Sequence, residues 1–70
     1  PPIRERVIDY KLQIFNRLGV LIFESRDINT PWNGYYRNEL CPQGVYVWYV
    51  EGKYANGEPF KKVGDVTLLH

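Results

Sequence analysis

Ser25, Cys41 and His70 are the residues from which nucleophile-and-base chemistry would have to be built, and they do not supply it. Such chemistry needs a nucleophile, a base and a group that orients the base. The chain has one serine, one cysteine and one histidine, and the histidine is the final residue, where no fixed partner is expected. No glycine-rich phosphate loop is present. One cysteine and one histidine make neither an internal disulfide nor a Cys/His metal set. Cys41 is read first as a small apolar residue at a strand end. A bridge to another chain or a lipid site is the sharper alternative. The expectation is therefore no enzyme, no cofactor and no metal.

Recognition chemistry has better material. Arg17 sits in Asn16-Arg17-Leu18-Gly19, and its guanidinium fork can bind a carboxylate or a carbonyl pair in fixed geometry. The plainer reading is turn chemistry with a solvated cation. Trp32, Trp48 and the six tyrosines could stack on sugars or unpaired bases. Core packing is the favoured reading for both tryptophans. Tyr35 and Tyr36 are consecutive, so on a strand one of them must be exposed. Asn33-Gly34 reads as a turn amide first and a partner contact second. Net charge is +1, with nine basic and eight acidic residues spread along the chain. That is no electrostatic footprint for nucleic acid or anionic lipid. Lys61-Lys62 is the single adjacent pair of lysines and reads as a solvated strand edge. The longest apolar run, residues 45–50, is too short for a spanning helix. No nucleic-acid partner and no direct membrane insertion are expected.

The elements that must position these residues are strands. Tyr10-Lys11-Leu12-Gln13-Ile14 alternates at the strand period, which predicts a first strand over 7–16 with Tyr10, Leu12 and Ile14 inward. Residues 1–6 are expected to be an extended lead-in. Residues 16–19 make a tight turn, in which Asn16 tolerates left-handed angles and Gly19 supplies a second such position. Residues 20–24 return as the partner strand. Residues 25–31 are a polar loop. A short strand over 32–36 opens on Trp32, and turns follow at 37–39 and 42–44. Residues 45–54 form the strongest strand. Val45, Val47 and Tyr49 lie on one face and Tyr46, Trp48 and Val50 on the other, so it should be central. Asn56-Gly57 is a two-residue hairpin signal. Residues 60–63 pair back, Gly64 marks a bulge or bend, and 66–69 end the chain as a last strand. Seventy residues make one small domain with a thin core. The fold class is all-β: an antiparallel Ig-like β-sandwich of six to seven short strands.

Four blocks recur in a fixed order. Residues 14–23 fit I-x-N-R-x-G-x-x-V/I-F/Y, 32–34 fit W-D/N-G, 42–48 fit P-x-G-x-Y-x-Y/W, and 64–68 fit G-x-V-x-L. In that order they resemble the gliding motility-associated C-terminal domain, the type B sorting domain of the type IX secretion system. The resemblance covers residues 10–69. It implies an Ig-like sandwich appended to large secreted proteins and adhesins. It also implies export through the periplasm and outer membrane to the cell surface. The partners it implies are outer-membrane components of the translocon and the N-terminal cargo of the same parent chain. The whole of 1–70 is then a single C-terminal sorting domain.

Three positions depart from the pattern. Leu18 stands where an aromatic is usual, and Asn33 where an acid is common. Residues 1–9 lack the N-G-D-G-x-N-D type loop that precedes the first block. With no methionine and a Pro1-Pro2 opening, the chain is expected to be a piece of a longer one, truncated at its N-terminal strand. The recognition residues expected from the blocks are Asn16, Arg17, Gly19, Trp32, Gly34, Val66, Thr67, Leu68 and Leu69. Backbone groups along 66–69 would add to a partner's sheet. Two alternatives stand beside the export signal. One is a carbohydrate-binding or adhesive Ig-like module using Trp32, Tyr35 or Tyr36. The other is a plain structural spacer, dispensable for export.

Overall fold

The structure, a computed structural model, describes residues 7–69. The expected lead-in over 1–6, and His70, lie outside the described residues. Among the described residues six strands form: β1 (Val7–Phe15), β2 (Leu21–Ser25), β3 (Tyr35–Tyr36), β4 (Glu39–Leu40), β5 (Gly44–Tyr54) and β6 (Pro59–Leu68). All pairings are antiparallel. The larger sheet runs β2-β1-β5-β6 and the smaller is the β3-β4 hairpin. The all-β antiparallel expectation holds, with the strands divided differently. The strand expected over 32–36 shrinks to two residues. It pairs with β4, a strand the sequence did not announce.

Each hairpin is closed by local chemistry. Between β1 and β2, Asn16 N–H donates to Val20 O (3.0 Å) and Gly19 N–H to Asn16 O (2.9 Å). Between β5 and β6, Tyr54 N–H donates to Glu58 O and Gly57 N–H to Tyr54 O, each 2.9 Å. Both loops therefore share one plan, a turn followed by a glycine at positive φ, as in three-residue hairpins with a glycine bulge. The two-residue Asn56-Gly57 turn is thus corrected: Gly57 alone is left-handed, and Asn56 uses its Oδ1 to accept from Glu58 N–H. The two-residue turn occurs instead at Arg37-Asn38, where φ is 54° and 68°.

Gly64 is the second correction. β6 runs through it without a register shift, opposite Trp48, so 59–68 is one strand and not two. The Trp48 indole lies directly over Gly64, and a Cβ there would overlap the ring. The glycine serves close packing of an aromatic across the strand pair, not a bend.

β5 is central, between β1 and β6. Its two apolar faces are nevertheless not both covered among the described residues. Tyr46 is buried and Trp48 half-buried on one face, whereas Val45 and Val47 are exposed on the other, with Val63 of β6. That outer face grades into charge, where Lys11 Nζ lies 3.3 Å from a Glu51 carboxylate oxygen. The core is small: Ile14, Ile22, Cys41 and Tyr46, flanked by Leu12, Phe23, Trp32, Tyr36, Trp48 and Leu68. Tyr10, Leu12 and Ile14 do share the inward face. Ile22 joins Phe23 there because the β1/β2 register shifts between Ile14 and Phe15, a bulge that turns two successive residues to one side. The loop and hairpin over 32–41 cover one end of this face. At the other end Val7, Tyr10, Leu12, Val50, Tyr54 and Phe60 line a shallow apolar trough.

Candidate functional site

The expected recognition residues converge on one end of the large sheet. Register fixes this: Phe15 lies opposite Val47, and Gly44 opposite Leu68. The β1/β2 turn, the start of β5 and the end of β6 therefore share an end. The W-N-G segment caps it from the inner face.

The 16–19 turn is held from inside by an amide. Asn16 Oδ1 accepts from Leu18 N–H (2.9 Å) and Val20 N–H (3.0 Å). Its role is this side-chain clamp and not a left-handed backbone: Gly19, at φ 84°, is the position that needs freedom. Arg17 and Leu18 are left pointing outward, and Leu18 is 84% exposed.

Trp32 and Gly34 build the opposite wall. Trp32 packs on Tyr46, ring centroids 5.1 Å apart and tilted by 57°, and its Nε1–H donates to Tyr35 O. Tyr35 N–H in turn donates to Asn33 Oδ1. Gly34 O accepts from Cys41 N–H at 2.8 Å, and the side chain of Leu68 lies against the Gly34 backbone. Trp32 is thus core packing, the favoured reading. Tyr35 is the exposed member of its pair and Tyr36 the half-buried one, as alternation requires. Arg37 lies over the Tyr36 ring, 5.1 Å from its centroid.

Tyr46 is the hub, and it is not among the expected recognition residues. Its hydroxyl donates to Pro42 O at 2.7 Å, and Val66 faces it across the sheet. Burial pushes its phenol above the ordinary value, and Cys41 beside it adds to this, while Arg17 pulls the other way. The signal that could have found it was the proline four residues before a strand tyrosine. Val66 and Thr67 are exposed on β6, Leu68 is half-buried under Gly34, and Leu69 is 75% exposed beyond the strand.

Ser25, elsewhere, exchanges hydrogen bonds with the backbone of Asp27 and so holds a loop. Among the described residues no three His, Cys, Asp or Glu side chains converge. The second titrating feature lies on the outer face. Tyr49 donates its hydroxyl to Glu51 at 2.9 Å; this holds the Glu51 carboxyl below its ordinary value, helped by Lys11, and raises the Tyr49 phenol.

The family model described as CHU_C Type IX secretion signal domain matches residues 2–68. No curated protein and no solved structure matches the chain.

Proposed function

Because the chain belongs to the CHU_C type IX secretion signal domain family, we propose that it works as a folded, non-catalytic handle whose outer β6 edge is read by the translocon. As a type IX secretion signal it acts with the secretion machinery and on a cargo of its own parent chain. The parent is accordingly a secreted or cell-surface protein. The reading adds specifics: outer-membrane components of the translocon are the partners, and cargo passes from the periplasm across the outer membrane.

One observation carries the mechanism. Among the described residues β6, ten residues long, is bonded to β5 on one side and to no strand on the other. Its other side presents a row of backbone donors and acceptors, a template for strand addition. Its end, Val66, Thr67 and Leu69, is exposed and lies at the same end of the sheet as the Asn16 to Gly19 turn, with β5 between them. We further take the intact domain to be an Ig-like sandwich. The apolar trough of Tyr10, Val50, Tyr54 and Phe60 supports this, since a half-covered sheet face is what a second layer would complete. Nothing favours the carbohydrate-binding alternative: Trp32 and Tyr36 pack into the core and form no open platform.

Deleting residues 66–70 would test the edge poorly, because Leu68 seats on Gly34 and its loss opens the core. Thr67→Lys with Leu69→Lys is cleaner, since both side chains are exposed and lysine on an edge blunts strand addition. A reporter fused to the chain should leave the cell in a type IX host and stay in the periplasm of a translocon-deficient one. The double-lysine variant, folded, should be retained. Export of that variant at the wild-type level would contradict the edge mechanism.

A further inference from the structure

The end of the sheet holds a groove of about 400 Å³ between residues 16–18 and 42–46. Its lining is mostly apolar: Leu18, Pro42, Val45 and the body of Tyr46. Among the described residues Arg17 is its sole charged side chain. Resting on the secretion-signal reading, we infer that this groove is a second contact for the machinery. It takes an extended peptide segment that pairs one carboxylate with apolar neighbours.

Charge complementarity selects the occupant. Arg17 makes no ion pair among the described residues, where the single salt bridge joins Lys11 and Glu51 on the outer face. A guanidinium binds a carboxylate bidentately, in the same fork geometry that it offers a phosphate. A lone arginine among apolar walls does not make a polyphosphate or membrane site, which needs several cations. Leu18 adds a second argument. A hairpin tip ordinarily carries polar residues, yet this one presents a leucine at 84% exposure that contributes nothing to the core. Val45, across the groove, is 51% exposed. The Asn16 clamp holds the Leu18 and Val20 N–H groups, so the turn backbone that carries Arg17 and Leu18 is set before any partner arrives, which lowers the ordering cost of binding. Gly44 contributes backbone only, and the space where its Cβ would stand is open, so a peptide main chain can approach β5 there.

The test is an NMR titration of the isotopically labelled 70-residue chain with acetyl-Leu-Asp-Leu-amide and its Asn counterpart. The expected result is saturable shifts at residues 17, 18 and 43–46 with the Asp peptide. The Asn peptide should bind at least tenfold more weakly, and Arg17→Gln should lose the same factor while keeping the free-state spectrum. Leu18→Ser should weaken both peptides alike. Equal binding of the two peptides, or an Arg17→Gln variant that binds normally, would overturn the inference. So would concentration-dependent broadening at these residues without peptide, which would make a second copy the occupant. The export assay separates the two proposals. If Arg17→Gln exports its reporter like the wild type while the β6 lysine variant does not, the groove is unused and the edge mechanism stands. If the Asp peptide binds as expected while the lysine variant exports normally, the edge mechanism fails and the groove survives.

Discussion

Asn16 shows how one side chain decides a local structure. Its Oδ1 satisfies two backbone donors that water alone would otherwise serve. Asn16→Ala should lower stability by about 1–2 kcal/mol, the worth of two solvent-accessible hydrogen bonds, read as a shift in the urea midpoint without a change in slope. The block around Asn16 was legible as a turn, but its mechanism was not. Sequence alone does not separate an asparagine that bends the backbone from one that clamps it. Glu51 carries the pH dependence at this scale. Its carboxyl is held below its ordinary value of 4.5, first by the Tyr49 hydroxyl and then by Lys11. A depressed folded-state value means that the unfolded chain binds the proton more readily. Its contribution is therefore present above pH 4.5 and is lost as pH falls through the folded-state value. Glu51→Gln should flatten the stability profile below pH 4.5 and leave its shape near pH 7 unchanged. An unaltered acid limb would show that the pairing has no energetic weight.

At the scale of elements, Gly64 and Trp48 form a unit that explains why β6 is one strand. Gly64→Ala forces the indole aside and should cost about 1–3 kcal/mol, in the range of overpacked sites. In Trp48→Leu the same substitution should cost much less, so a double-mutant cycle should return a coupling of about 1 kcal/mol or more. Additive effects would mean that the ring and the glycine are independent. In the sequence a glycine weakens the strand pattern at this point, and the ring that compensates comes from sixteen positions earlier. The short β3-β4 hairpin was hidden for a related reason. Its turn uses Arg37 and Asn38 at positive φ, and arginine is not a residue that announces such a turn. The centrality of β5 was readable, because two apolar faces belong to an interior strand. Which face is covered depends on where residues 32–41 fold back, and no strand-level periodicity contains that.

For the whole molecule, the four ordered blocks were more informative than any single residue. They meet at one end of the large sheet: a clamp of Trp32, Gly34 and Tyr46 inside, and the 16–19 turn with the β6 terminus outside. Most of the expected recognition residues therefore have structural duties. Asn16, Gly19, Trp32, Gly34 and Leu68 shape the end of the sheet. Arg17, Val66, Thr67 and Leu69 are exposed there, and they are the positions proposed to meet a partner. Substitutions in the first group should reduce export by unfolding the domain, and those in the second should reduce it with the fold intact. Circular dichroism on the same variants distinguishes the two. The measurement that bears most directly on the central claim is site-specific photocrosslinking during export, with the reactive side chain at Thr67 on the β6 edge or at Glu24 on the β2 edge. The account predicts crosslinks to an outer-membrane component of the translocon from position 67 and none from position 24. Crosslinks from position 24 alone, or equally from both, would contradict it.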